Sequence, residues 1–303
     1  MKVLSLFDWI SCARVALDRA GIPIDNYYAS EVDKYAIQIA QKNYPDTIHV
    51  WSVVWYNHTG QVDLLIWWSP CQDLSIAKKD RQWLEWSKSS LFREYARILR
   101  DVKPKRFILE NVSSMSKEAK ETITREMWVD PIMINAALVS AQNRKRLFRT
   151  NIPWVTQPDD KGILLKDVLE WWCNEVRKDS RKYREWKPRC YEWKCPTLSA
   201  NMWTAWWHIP IKLYAINTID GKSLTIKSQY QKNWLANINH KTRAATFVWS
   251  DMGIRKLTPI ECERLQCLPD NYTEWVSNSQ RYKMLGNGFN VDVVSHILSF
   301  IPR

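Results

Sequence analysis

Lys2-Val3-Leu4-Ser5-Leu6-Phe7 is an almost continuous apolar run, the pattern of a strand buried on both faces. The period then changes. Ala13, Ala16, Leu17 and Ala20 recur at helical spacing from about Ser11 to Gly21, and glycine suits the left-handed residue that closes a helix. Tyr27-Tyr28-Ala29-Ser30 predicts a second strand ending at Glu31, and Ala36, Ile37 and Ala40 mark the inner face of a helix from about Asp33 to Asn43. His49-Val50 and Val62 to Ile66 predict further strands. Phe92, Tyr95, Ala96, Leu99 and Val102 fall on one face of a helix, which strand Arg106 to Leu109 follows. This alternation predicts an α/β fold, a Rossmann-like, doubly wound and mostly parallel sheet. On it Asp8, Glu31, Cys71 and Glu110 all fall at carboxyl ends of strands, where open α/β sheets hold their ligands.

The alternation fades between Val155 and Ser250 into basic, aromatic and polar sequence with short extended pieces at Pro210 to Tyr214 and Leu224 to Ile226. It returns at Thr258-Pro259-Ile260-Glu261, an N-cap, a proline at the first helical position and a capping-box glutamate, opening a helix through Gln266. Gly286-Asn287-Gly288 reads as a tight turn, and Val291, Val294, Ile297, Leu298 and Ile301 as the stripe of a last helix. The division is therefore 1–154, an irregular lobe at 155–250, and a return at 251–303.

Charge adds a partner. The 303-residue chain carries a formal +12 with pI near 9.3, and Arg177 to Arg189 holds seven basic residues in thirteen, interleaved with Tyr183 and Trp186. That combination points to nucleic acid. No segment is apolar enough to cross a bilayer, and the N-terminus runs into strand pattern with no export signal, so no membrane is expected and the cytoplasm is. Seven scattered cysteines argue against a disulfide framework, and the pairs Cys190/Cys195 and Cys262/Cys267 have no histidine nearby, so no metal is expected.

Nineteen tryptophans stand against seven glycines, although glycine is usually about 7% of a globular chain. Many tryptophans fall where a backbone asks for glycine: Trp9 in the first strand-to-helix turn, Trp67-Trp68 before Ser69, Trp83, Trp86, Trp203 and Trp206-Trp207. Interface or base-stacking aromatics are the alternative, but stacking does not account for doublets at strand-to-loop junctions. The pattern suggests tryptophan in place of glycine, by substitution or by UGA codons that the source reads as glycine.

Ser69-Pro70-Cys71-Gln72 delivers a cysteine into a turn behind a proline, and Glu110-Asn111-Val112 delivers a carboxylate from a second strand. Alone, Cys71 reads as a small buried hydrophobe and Glu110 as a cap or surface charge. Together they fit covalent catalysis.

The ordered set Phe7-Asp8, Glu31, Pro70-Cys71-Gln72, Glu110-Asn111-Val112, Gln142-x-Arg144-x-Arg146, Leu257-Thr258-Pro259 through Arg264-Leu265-Gln266, and Gly286-Asn287-Gly288 resembles the DNA (cytosine-5) methyltransferases, especially the small phage and bacterial type. Each tripeptide is weak alone; the whole order, from Leu4 to about Ile297, is specific. The resemblance implies S-adenosylmethionine as methyl donor, double-stranded DNA as partner, and a monomer. It makes 1–154 the catalytic and cofactor-binding domain and 155–250 the target-recognition lobe. It implies Cys71 as the thiolate that adds to C6 of a flipped-out cytosine, Glu110 as the partner of N3 and the exocyclic amine, and Arg144 and Arg146 as holding the flipped nucleotide. It also implies a cofactor site in which Phe7 lies near the adenine or methionine end, Glu31 takes the ribose hydroxyls, and Ser52 and Val53 lie by the adenine. Asp8, Trp9, Ile10, Val32, Pro70, Leu91 and Asn287 complete that site. The chain departs from the family pattern at Ser52, where an acidic residue is common, and at Trp9, Trp67 and Trp68, where glycines are expected. A tRNA cytosine-5 methyltransferase would use the same thiol chemistry, and a catalytically silent DNA-binding protein is a second alternative. A Rossmann oxidoreductase is disfavoured by the lack of G-x-G-x-x-G.

Overall fold

The first apolar run forms β1 (Lys2–Leu6), buried from Val3 onward. It ends one residue earlier than expected because Phe7, at φ 57°, turns the chain out of the sheet. The computed structural model describes residues 1–50, 52–55, 60–68, 89–170, 214–216, 218–219, 222–224, 247–250 and 253–302. Helix α1 (Cys12–Arg19) turns Cys12, Ala13, Val15, Ala16 and Leu17 inward. Its end is closed by Gly21 at φ 65°, with Gly21 N–H on the Asp18 carbonyl and Ile22 N–H on the Leu17 carbonyl, the paired bonds of a Schellman motif. Next come β2 (Asn26–Ser30) and α2 (Lys34–Asn43), where Asp33 caps the amides of Tyr35 and Ala36. Ile39 is fully buried in α2, whereas the expected Ile37 is half-buried.

After β3 (Ile48–His49), strand β4 covers Leu64–Trp68, two residues beyond the expected end, so Trp67 and Trp68 lie inside the sheet. Helix α3 (Ser89–Val102) leads to β5 (Arg106–Val112), and α4 (Lys117–Met127) to β6 (Ile132–Asn135), β7 (Gln142–Asn143) and β8 (Lys145–Thr150). Seven strands form one sheet in the order β3-β2-β1-β4-β5-β8-β6, parallel from β3 to β5, with β8 antiparallel to both neighbours. The central strands β1, β4 and β5 are covered on both faces, and Val3, Leu4, Leu64, Leu65, Ile108 and Leu109 are at most 1% exposed. Each such side chain contributes about 1.5–3 kcal/mol on burial.

The chain divides into two compact units, one of Met1–Asn135, Lys145–Pro158 and Gly288–Arg303, the other of Ala136–Arg144 and Asp159–Asn287. In the first, α7 (Val291–Leu298) buries Val291, Val293, Val294, Ile297 and Leu298 and packs on α1, with Arg19 paired to Asp292. The second holds β9 (Tyr214–Ile216), β10 (Thr218–Ile219), β11 (Lys222–Leu224), β12 (Phe247–Ser250) and β13 (Gly253–Lys256). Helix α5 in this unit covers Pro259–Leu265, with the expected capping box: Glu261 N–H donates to Thr258 Oγ1 at 3.1 Å and Thr258 N–H to Glu261 Oε2 at 2.8 Å.

One local expectation fails here. Gly286 and Asn287 form the last turn of α6 (Asn278–Asn287) instead of a tight turn. Met284 and Leu285 are fully buried on that helix, and Gln266 Nε2 donates to the Leu285 carbonyl, so packing carries the helix through the glycine. The basic stretch 177–189, the extended pieces at 210–213 and 225–226, and Trp83, Trp86, Trp203, Trp206 and Trp207 lie outside the described residues.

Candidate active site

Carboxyl groups gather at the carboxyl edge of the parallel strands, and each is held differently. Asp8 follows β1 and is buried; Ser11 Oγ and Tyr27 Oη each donate to its carboxylate at 2.6 Å. Burial pushes its pKa up, partly countered by those hydroxyls. Its oxygens thus brace the loop from β1 to α1. In that loop Ile10 is fully buried, and Trp9 adopts φ 51°.

Glu31 follows β2 and is 8% exposed. Oε2 accepts from Trp9 N–H at 2.9 Å, and Oε1 from the N–H groups of Val32 and Asp33, both at 2.8 Å. Burial raises its pKa and the three amide bonds oppose that rise. A carboxylate offers about four acceptor positions, so three amides orient Glu31 and leave capacity for a hydroxyl donor. This donor chemistry fits the ribose of a nucleoside cofactor. Val32 beside it is 71% exposed. Ser52 Oγ accepts from Val54 N–H, and Val53 is buried with its carbonyl taken by Arg97.

Phe7 stacks on Trp67 at 5.8 Å between ring centroids, and Trp67 in turn meets Phe92 at 5.9 Å and Tyr95 at 4.3 Å. Trp67 is 1% exposed, and its Nε1 has no hydrogen-bond partner among the described residues. The Trp68 ring stacks on Phe289 at 4.3 Å.

Glu110 lies inside β5, which runs three residues past its expected end because β8 pairs with it. Glu110 stands opposite Phe148 and Val112 opposite Arg146, so Glu110 and Arg146 are diagonal neighbours on one face. Arg146 Nε meets Glu110 Oε1 at 2.7 Å, with side chains 15% and 4% exposed. Sequence spacing alone does not show this pair. Arg149, three residues along β8, carries no motif or spacing in the sequence that marks it. It is fully buried, donating to Asn111 Oδ1 at 3.2 Å and to the Lys120 carbonyl and Thr124 Oγ1 at 3.1 Å. Burial lowers its pKa to about 10. Arg149 thereby ties the residue after Glu110 to α4.

The remaining expected residues are placed as follows. Arg144 is buried in the second unit, and its carbonyl accepts from Ala136 N–H. Asn287 ends α6 in that unit. Leu91 lies on α3. Pro70 and Cys71 lie outside the described residues. No described cluster of three or more His, Cys, Asp or Glu could hold a metal ion, and no described helix is long and apolar enough to cross a membrane.

A family model for C-5 cytosine-specific DNA methylases matches residues 1–303. The chain belongs to that family. Among curated proteins, this methylase is 26% identical over 320 residues to the type II methyltransferase M1.ScrFI of Lactococcus lactis subsp. cremoris, covering 98% of this chain and 76% of that protein. It is 24% identical over 316 residues to M.NlaX of Neisseria lactamica, covering 98% and 94%. Among solved structures it is similar to the Entamoeba histolytica methyltransferase EhMeth, with TM-score 0.64, 14% identity, and 99% and 97% of the two chains covered. That likeness concerns the fold, the seven-stranded mixed sheet with its helices.

Proposed function

We propose that this methylase transfers a methyl group from S-adenosylmethionine to C5 of a cytosine flipped out of duplex DNA, acting as a cytoplasmic monomer through covalent addition of Cys71. One observation carries the reading. In the register, Trp68 at the end of β4 lies beside Glu110, and Cys71 follows Trp68 three residues along the chain. The carboxylate thus stands at the β5 position paired with the last residue of β4, the strand that precedes the thiol in the chain, with Arg146 against the carboxylate.

C5 of cytosine is a weak nucleophile, so the ring must be activated first. The Cys71 thiolate adds to C6, breaking the C5–C6 double bond and moving electron density onto C5 and N3. Glu110, oriented by Arg146, hydrogen-bonds N3 and the exocyclic amine and stabilises the charge that develops there. When bound, the sulfonium cofactor supplies an electrophilic methyl group. Glu31 would hold its ribose, with the loop of Phe7 to Ile10 alongside. After C5 is methylated, its proton passes to a base and the C6–S bond breaks, returning the thiolate and the aromatic ring. By the family pattern Gln142-x-Arg144-x-Arg146, these two arginines would hold the extruded nucleotide, a role suited to the guanidinium fork. The basic, aromatic stretch 177–189 would grip the duplex.

Incubation with tritiated S-adenosylmethionine and either duplex DNA or tRNA, with Cys71→Ser alongside, tests this. Label should enter DNA and be lost in the serine variant. Label entering tRNA alone, or DNA label that survives Cys71→Ser, refutes the proposal.

A further inference from the structure

Eight described non-glycine residues adopt positive φ, and three of them are tryptophans: Trp9 at 51°, Trp128 at 56° and Trp154 at 63°. A bulky residue there is an outlier, because its Cβ crowds the following carbonyl. Such strain persists when the side chain's own packing holds the backbone in place. At two of these positions it does not: Trp128 is 90% and Trp154 86% exposed, so each places a large apolar ring in water on a strained backbone. Trp128 also sits as the left-handed residue ending α4, with its N–H on the Thr124 carbonyl. Gly21 takes the corresponding place after α1. Trp9 is held by its backbone, whose N–H bonds Glu31, so an indole adds nothing to that contact. Inside the sheet the mismatch takes another form. Trp67 is buried with no partner for Nε1 among the described residues, its ring filling the space between Phe7 and the α3 residues Phe92 and Tyr95. Trp68 covers Phe289 at the same strand end.

We propose that positions 9, 67, 68, 128 and 154 are glycine positions of the natural polypeptide, read from UGA codons, and that the space taken by the Trp67 and Trp68 rings belongs to the methyl-donor cleft. The statement about the backbone stands independently; the statement about the cleft rests on the methyltransferase reading. A Cβ-free residue satisfies all three left-handed turns at once. At the end of β4 it leaves room beside Phe7, at the start of the loop whose Trp9 N–H bonds the Glu31 carboxylate.

Sequencing the natural gene gives the first test: TGA at codons 9, 67, 68, 128 and 154 is expected, and TGG there overturns the proposal. Stability is the second. Trp128→Gly and Trp154→Gly should each raise the folding equilibrium constant about fivefold or more above the matching alanine variant, since only alanine keeps the Cβ. Glycine variants no more stable than the alanine variants overturn it. The third is calorimetric titration with S-adenosylhomocysteine. Trp67→Gly/Trp68→Gly, alone and in a chain carrying glycine at all five positions in case the double variant unfolds, should bind at least about tenfold tighter than the chain with tryptophan. Unchanged or weaker binding by a folded glycine variant, where the tryptophan chain does bind, refutes the claim about the cleft. If stability rises as expected and neither chain binds the cofactor, the methyl-donor reading fails while the glycine assignment stands.

Discussion

Glu110→Gln offers a direct measure of how the two units of site chemistry, carboxylate and guanidinium, depend on each other. The Glu110 to Arg146 contact is 2.7 Å long with side chains only 4% and 15% exposed, so water screens it little. Glutamine preserves the shape and one acceptor but leaves the Arg146 charge without its counter-charge. Breaking a buried pair costs about 3–5 kcal/mol when a partner is deleted; the retained acceptor puts the glutamine variant near the lower end, about 3 kcal/mol. At roughly 2–4 °C per kcal/mol for a domain of this size, Tm should fall by about 6–12 °C. Methyl transfer should fall further than stability explains, by about 10²-fold or more at a temperature where the variant stays folded, because the charge developing on the base loses its partner. Scanning calorimetry and tritium incorporation read the two effects separately. A double-mutant cycle with Arg146→Met should show a coupling of at least about 1.5 kcal/mol. Additive stabilities, or a Glu110→Gln variant with unchanged Tm and rate, would refute the reasoning.

Other outcomes follow from the same geometry. Arg149→Lys keeps the charge but cannot reach Asn111, Lys120 and Thr124 together; it should lower Tm and reduce kcat more than it changes KM for DNA, and a KM effect alone would remove Arg149 from any positioning role. His49 has both ring nitrogens buried without partners among the described residues, and burial holds its pKa below the usual 6.5. The unfolded chain therefore takes up a proton that the folded chain resists, so stability is lost as pH falls below about 6.5. His49→Gln should flatten that part of a urea-denaturation pH profile, and an unchanged slope would contradict the assignment. Thr258→Ala removes the cap of α5 and the hydroxyl's bond to Glu170. It should cost about 1–2 kcal/mol, with Thr258→Ser restoring most of it in the same denaturation assay.

Periodicity and local chemistry carried much of this fold. The run from Lys2, the helical spacing before Gly21, and the capping box at Thr258 each specify an element from residues within a few positions, because their causes are local: burial on one face, a left-handed closing residue, a reciprocal cap. The alternation of those elements already pointed to a parallel sheet with acidic residues at its carboxyl edge. What tertiary structure decided was everything that depends on a distant strand. The antiparallel partner β8 extended β5 through Glu110-Asn111-Val112 and set Arg146 on the carboxylate, a register no sequence spacing reports. It also buried Arg149 behind Asn111. Packing of Met284 and Leu285 drew Gly286 and Asn287 into a helix where the sequence suggested a turn. Composition showed that tryptophan was in excess of glycine, but only backbone geometry showed where that excess strains the chain, since φ belongs to the folded path and not to the residue name.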